Sequence, residues 1–230
     1  MAEKKYPRIS FREKIKDIKN NVEKASQKTL DIYRNAIKVL QGKNEKTAEK
    51  IIESSERMDD ILYGVEKACI NLIATEQPLA SDLRFIESCI KIGTHLKRVG
   101  YLSADIAEAV AEMKGKEKKI PKKIREDILH MADYTEMMLS KAIYSFLDQN
   151  SEMAEELDKD DDKVDDLFDK SLEHIAESIS KVKNKESIYC LLRLILIARY
   201  LERIADQAVS IGHRTVFMVR GKRAEREESA

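Results

Sequence analysis

The sequence predicts an all-α protein, two tandem antiparallel three-helix bundles made of six long helices, and three observations carry that expectation. Only 7 Gly and 3 Pro punctuate 230 residues, too few for the turns of an all-β chain. Apolar residues recur at alternating three- and four-residue steps, the spacing of a single helix face. The second half repeats the plan of the first.

From Ser10 to Gln41 a narrow seam runs through Ile15, Ile18, Val22, Ala25, Ile32 and Ala36, and Gly42 stops the helix. Asn44 is placed to cap a second helix, whose seam passes Ile51, Ser55, Met58, Leu62, Val65 and Cys69. Pro78 marks the next turn, and a third helix carries Leu83, Ile86, Ile90, Gly93 and Lys97 before Gly115 and Pro121 end it. Helices at Lys122 to Gln149, Ser151 to Val182 and Ser187 to Val219 complete the second set. A helix of about 30 residues spans roughly 45 Å, and a stripe that long must be buried against neighbours. Short connections make sequential helices antiparallel. The first bundle is expected over 8–115, the second over 120–220, and a polar tail over 221–230.

The halves also align residue by residue. At an offset of 106, Ala48, Ile51, Met58 and Asp59 match Ala154, Leu157, Val164 and Asp165. At an offset of 105, the stretch from Thr94 matches the stretch from Arg199, as an internal duplication would leave it.

With 42 basic and 42 acidic residues the formal net charge is zero, which removes the electrostatic case for a nucleic-acid binder. The N-terminus lacks the apolar core of a signal peptide, and the apolar run Ile188 to Ala198 is broken by Arg193, so neither secretion nor a membrane span is expected. Cys69, Cys89 and Cys190 lie apart in apolar stretches and read as buried thiols in a reducing compartment. Both ends are locally basic, with Lys4, Lys5 and Arg8 at the start and Arg220, Lys222, Arg223 and Arg226 at the finish, a pattern that suits a solvated tail or attraction to anionic lipid headgroups.

Chemistry is expected where the apolar seam fails. Asp161 on helix five and Glu202 on helix six stand where apolar residues would continue their seams. Each is followed four residues later by a second acid, Asp165 and Asp206, on the same helix face. Four carboxylates brought together in a bundle repel one another and lose hydration, so either they hold protons or a cation neutralises them. An all-oxygen set favours hard or borderline ions such as Mg, Ca, Mn or Fe. The competing reading is a solvated acidic face, since Glu152 to Asp166 holds nine acids against two lysines near a helix N-terminus. That reading accounts for Asp158, Asp160 and Asp162 better than for Glu202 and Asp206, while Arg199 and Arg203 offer salt bridges.

The first half differs at the equivalent positions, which hold Ser55, Asp59, Lys97 and Tyr101. Lys97 opposes a cation and is expected to pair with Asp59 or Glu56, leaving at most one metal site per chain. His95, His130, His174 and His213 are scattered, and Asp127-x-x-His130 occurs once, unlike the doubled motif of di-iron carboxylate bundles. No catalytic residue is nominated, because the chain has no glycine-rich phosphate loop and no nucleophile in a recognisable setting.

Two stretches, ACINLIATEQPLASDLRFI from Ala68 and ARYLERIADQAVSIGHRTVFMV from Ala198, resemble the signature regions of PhoU proteins, and the resemblance spans both halves. It implies tandem three-helix bundles, and carboxylate motifs that bind iron or zinc clusters in some members, here Asp161, Asp165, Glu202 and Asp206. Ser55, Lys97 and Tyr101 depart from the family's acids in the first bundle. The resemblance further implies a non-enzymatic negative regulator of phosphate uptake and of the starvation response. Such a regulator is cytoplasmic and works at the inner face of the plasma membrane. Its implied partners are a phosphate ABC transporter, through the ATPase subunit, and a sensor histidine kinase, and its implied state is a homodimer. Related modules accompany potassium and low-affinity phosphate transporters, which is the alternative. A carboxylate-bridged metalloenzyme is a further one, and a continuous coiled-coil rod is disfavoured by Gly42, Pro78 and Pro121.

Overall fold

A computed structural model describes residues 7–43, 48–113, 115 and 120–222. Six helices follow one another: α1 (Pro7–Leu40), α2 (Ala48–Glu76), α3 (Ala80–Glu112), α4 (Lys122–Leu147), α5 (Ser151–Lys181) and α6 (Lys185–Arg220). Asn44 and the basic residues Lys4, Lys5, Arg223 and Arg226 lie outside the described residues, as does most of the tail 221–230. Helices α1 to α3 pack as one antiparallel bundle and α4 to α6 as the other.

The breaks have local causes. Gly42 and Gly221 take left-handed backbone at φ 70°, closing the ends of α1 and α6 where a side chain would be strained. Between α4 and α5 the chain turns in three residues. Gln149 adopts φ 54°, and the Asn150 N–H donates back to the Ser145 carbonyl at 2.8 Å. The Asn150 side chain then accepts from the Met153 N–H at 2.9 Å and caps α5.

The bundles are not two separate cores. One contiguous apolar cluster runs from Ile18 in α1 to Met218 in α6, and α3 lies along α6 as the most extensive helix pair of the fold. The narrow seam expected for α1 is accordingly too narrow. Ser26, Leu30, Tyr33 and Ile37 are buried as a second stripe, because α4 covers that side. Tyr33 is fully buried and its hydroxyl donates to the Ala132 carbonyl of α4 at 2.6 Å, while Arg34 pairs with Glu136 at 2.7 Å. Cys69, Cys89 and Cys190 are buried thiols, and burial pushes Cys69 up to about 12. No described helix is long and apolar enough to cross a membrane.

Candidate metal centre and its counterpart

Helices α5 and α6 lie side by side closely enough that Gly212 is required. A Cβ at that position would stand 2.7 Å from Leu157 Cδ1 and 2.9 Å from the Ala154 carbonyl oxygen. This approach sets the Asp161–Asp165 pair of α5 opposite the Glu202–Asp206 pair of α6. Asp161 feels the charges of Asp165, Asp206 and Glu202, and with burial as the larger cause its carboxyl is pushed up to about 7. Asp165 and Glu202 are raised by burial first and then by Asp206, and Asp206 is raised by burial against the opposing pull of Arg199 and Arg203.

The seam itself runs differently from the sequence expectation. The buried positions of α5 are Ser151, Ala154, Leu157, Asp160, Val164, Ser171 and Ile175, so Asp161 stands on the flank of the core. In α6, Leu201, Ile204 and Ala205 are buried and Glu202 lies beside them at 14% side-chain exposure. The cause is the breadth of the buried face of α6, which contacts α3, α4 and α5 at once. Asp165 and Asp206 are exposed.

Glu202 is asymmetric. Its Oε1 accepts from Arg199 at 2.6 Å, whereas its Oε2 is buried with no hydrogen-bond partner among the described residues. An ionised oxygen in that position lacks compensation for its lost hydration. Among the described residues no three His, Cys, Asp or Glu side chains converge as a ligand set, so the four carboxylates face one another without closing. Their all-oxygen donor chemistry suits a hard or borderline cation, and Arg199 competes with it for Glu202.

Other acids of the run are structural. Asp160 is buried, accepting from Lys141 at 2.8 Å and from the Tyr134 hydroxyl at 3.2 Å. Asp158 meets His213 at 2.9 Å, and Asp127 pairs with His174 at 2.6 Å rather than with His130. These contacts join α5 to α4 and α6, so Asp160 does not belong to a solvated face, whereas Asp158, 36% exposed beside His213, and the exposed Asp162 do face solvent. The contacts link residues 19 to 55 apart, with no local spacing to announce them.

In the first bundle, Lys97 Nζ stands 2.5 Å from Asp59 Oδ1, and the Tyr101 hydroxyl donates to Asp59 Oδ2 at 3.1 Å. Buried Ser55 donates to the Ile52 carbonyl at 2.8 Å. A cleft of about 300 Å³ opens over this cluster, bordered by Tyr63, Glu66 and Arg98.

The turn from α2 into α3 meets the far end of α6. Arg84, within the stretch ACINLIATEQPLASDLRFI that begins at Ala68, donates from Nε to the Met218 carbonyl at 3.4 Å, placing a positive charge at a helix C-terminus.

Comparison with known proteins agrees with this architecture. A PhoU domain model matches twice, over residues 22–110 and 128–215. The chain is 54% identical over 217 residues to the phosphate-specific transport system accessory protein PhoU homolog 1 of Methanothermobacter thermautotrophicus, covering 94% of this chain and 97% of that one. It is 30% identical to the PhoU homolog of Clostridium acetobutylicum, over 82% of this chain and 84% of the relative. The crystal structure of PhoU from Pseudomonas aeruginosa superposes with a TM-score of 0.85 at 22% identity, over 92% of this chain and 100% of that one. PhoU from Streptococcus pneumoniae superposes at 0.82 with 25% identity, over 94% and 99%. With both bundles matched by the family model and the six-helix architecture shared, the chain belongs to the PhoU family.

Proposed function

We propose that this protein is an accessory regulator of phosphate uptake and phosphate-starvation signalling. It acts by binding the ATPase subunit of a phosphate ABC transporter and a sensor histidine kinase at the inner face of the plasma membrane. The observation that carries the reading is the 54% identity, across nearly the whole chain, to a relative named as a phosphate-specific transport system accessory protein. Long bundles sharing one core suit this work, since they present rigid helix faces rather than a catalytic cleft.

Within that reading, Asp161, Asp165, Glu202 and Asp206 hold a metal ion or cluster, of iron or zinc by family likeness, with Mg, Ca and Mn also compatible with oxygen donors. The unpartnered Glu202 oxygen and the raised Asp161 carboxyl support a cation at this face. When bound, it supplies positive charge that neutralises the facing acids and ties α5 to α6. The residues of the chain do the rest. To admit a cation, Arg199, which donates to Glu202 Oε1 at 2.6 Å, would have to release that oxygen, and Asp161, raised to about 7, would have to give up its proton.

Affinity capture of the tagged chain from its source cells, grown in high and low phosphate, tests the partner assignment. Recovery of a phosphate transporter ATPase, enriched at high phosphate, is the expected result. Reproducible recovery of a potassium or low-affinity phosphate transporter in its place would overturn it.

A further inference from the structure

The two halves of the chain solve the same electrostatic problem in different ways. The internal repeat sets Ser55, Asp59, Lys97 and Tyr101 at the positions that hold Asp161, Asp165, Glu202 and Asp206 in the second half. Four facing carboxylates need an external cation of high charge, or protons, to stay together. One carboxylate needs a single positive charge.

The first bundle supplies that charge from within. Asp59 Oδ1 takes the Lys97 ammonium at 2.5 Å and Asp59 Oδ2 takes the Tyr101 hydroxyl at 3.1 Å, so both oxygens are engaged. The ammonium lies 5.8 Å from the centroid of the Tyr101 ring, close enough for cation–π attraction. Ser55, where the second bundle has Asp161, turns its hydroxyl back to its own helix at the Ile52 carbonyl. Asp59 comes from α2, and Lys97 and Tyr101 from α3, so the contact joins the pair of helices equivalent to the α5–α6 pair that carries the carboxylates in the second bundle. These donors do not fit a metal ion: a lysine ammonium has three donor hydrogens and no lone pair, and it occupies the place beside the only carboxylate of the four.

We propose that Lys97 is a tethered cation standing in for a metal ion, so that the α2–α3 face is held permanently while the α5–α6 face alone responds to metal. This rests on the second-bundle carboxylates being a cation site. The consequence is a protein with one constitutive and one conditional face. Metal depletion alters the partner surface at α5–α6 and leaves the α2–α3 face as it is.

Thermal unfolding of the full chain, followed by circular dichroism with Mn(II) or with chelator, tests the assignment. The second-bundle site is first silenced by Asp161→Asn, Asp165→Asn, Glu202→Gln and Asp206→Asn. In that background, with Lys97 present, excess Mn(II) leaves the midpoint unchanged. Adding Ser55→Asp, Lys97→Glu and Tyr101→Asp restores the carboxylate pattern in the first bundle, and excess Mn(II) then raises the midpoint by about 5 °C. The single change Lys97→Glu, at a half-exposed site, gives a smaller rise of the same sign and serves if the triple variant does not fold. A Mn(II)-dependent rise in the silenced background with Lys97 intact would overturn the proposal. So would a folded converted variant that ignores the ion. The response of the unmodified chain, compared with the silenced one, reports on the second bundle alone, so failure of that reading and failure of this one appear in different proteins.

Discussion

At Asp161, burial and four neighbouring carboxylates, Asp165, Asp206, Glu202 and Asp158, hold a proton that an exposed aspartate would lose, raising the carboxyl from 3.8 to about 7. A folded value above the unfolded one contributes stability that is fully present below 3.8 and is lost as pH rises through about 7. In chelator, the unfolding midpoint therefore falls as the pH is taken from 4 toward 7.5, and Asp161→Asn flattens that decline; a midpoint equally steep in both proteins contradicts the assignment. Metal uptake at pH 7 should release about half a proton per chain from Asp161, rising toward one at pH 6, read by calorimetry in buffers of different ionisation enthalpy. The double change Glu202→Ala and Asp206→Ala should lower metal content measured by elemental analysis while helix content stays intact. The facing acids were legible in the sequence because their spacing of four repeats on two amphipathic helices, and charge alone narrowed the partner of Lys97 to Asp59 or Glu56, of which the fold brings Asp59. Asp160 with Lys141 and Tyr134, and Asp158 with His213, were not legible, since only the folded chain brings them together.

The helices themselves were almost wholly visible in the seams, and their ends in Gly42, Pro78 and Asn150, because breakers in a chain this poor in Gly and Pro stand out. What periodicity alone missed was the second buried stripe of α1 and the breadth of the buried face of α6, both imposed by the neighbouring bundle. Two element-scale changes should move stability in opposite directions, read from denaturant midpoints. Gly212→Ala puts a methyl group 2.9 Å from the Ala154 carbonyl oxygen and should cost about 1–3 kcal/mol, since backbone must move to admit it. Gln149→Gly relieves left-handed backbone at φ 54° and should stabilise by about 0.5–1 kcal/mol.

Across the whole molecule the apolar core is continuous, so the duplicated halves should unfold together despite their separate sequence identity. Circular dichroism and tyrosine fluorescence are expected to report one coincident transition; two separated transitions would show that the α3–α6 and α1–α4 contacts do not couple the bundles. In the proposed function the protein is a brake on phosphate uptake. The most direct test is the initial rate of radiolabelled phosphate uptake in source cells lacking this chain, grown in excess phosphate. Uptake is expected to stay high where the parent strain shuts it down, with the shutdown restored by the unmodified chain. Uptake indistinguishable from the parent, with and without the chain, would contradict it.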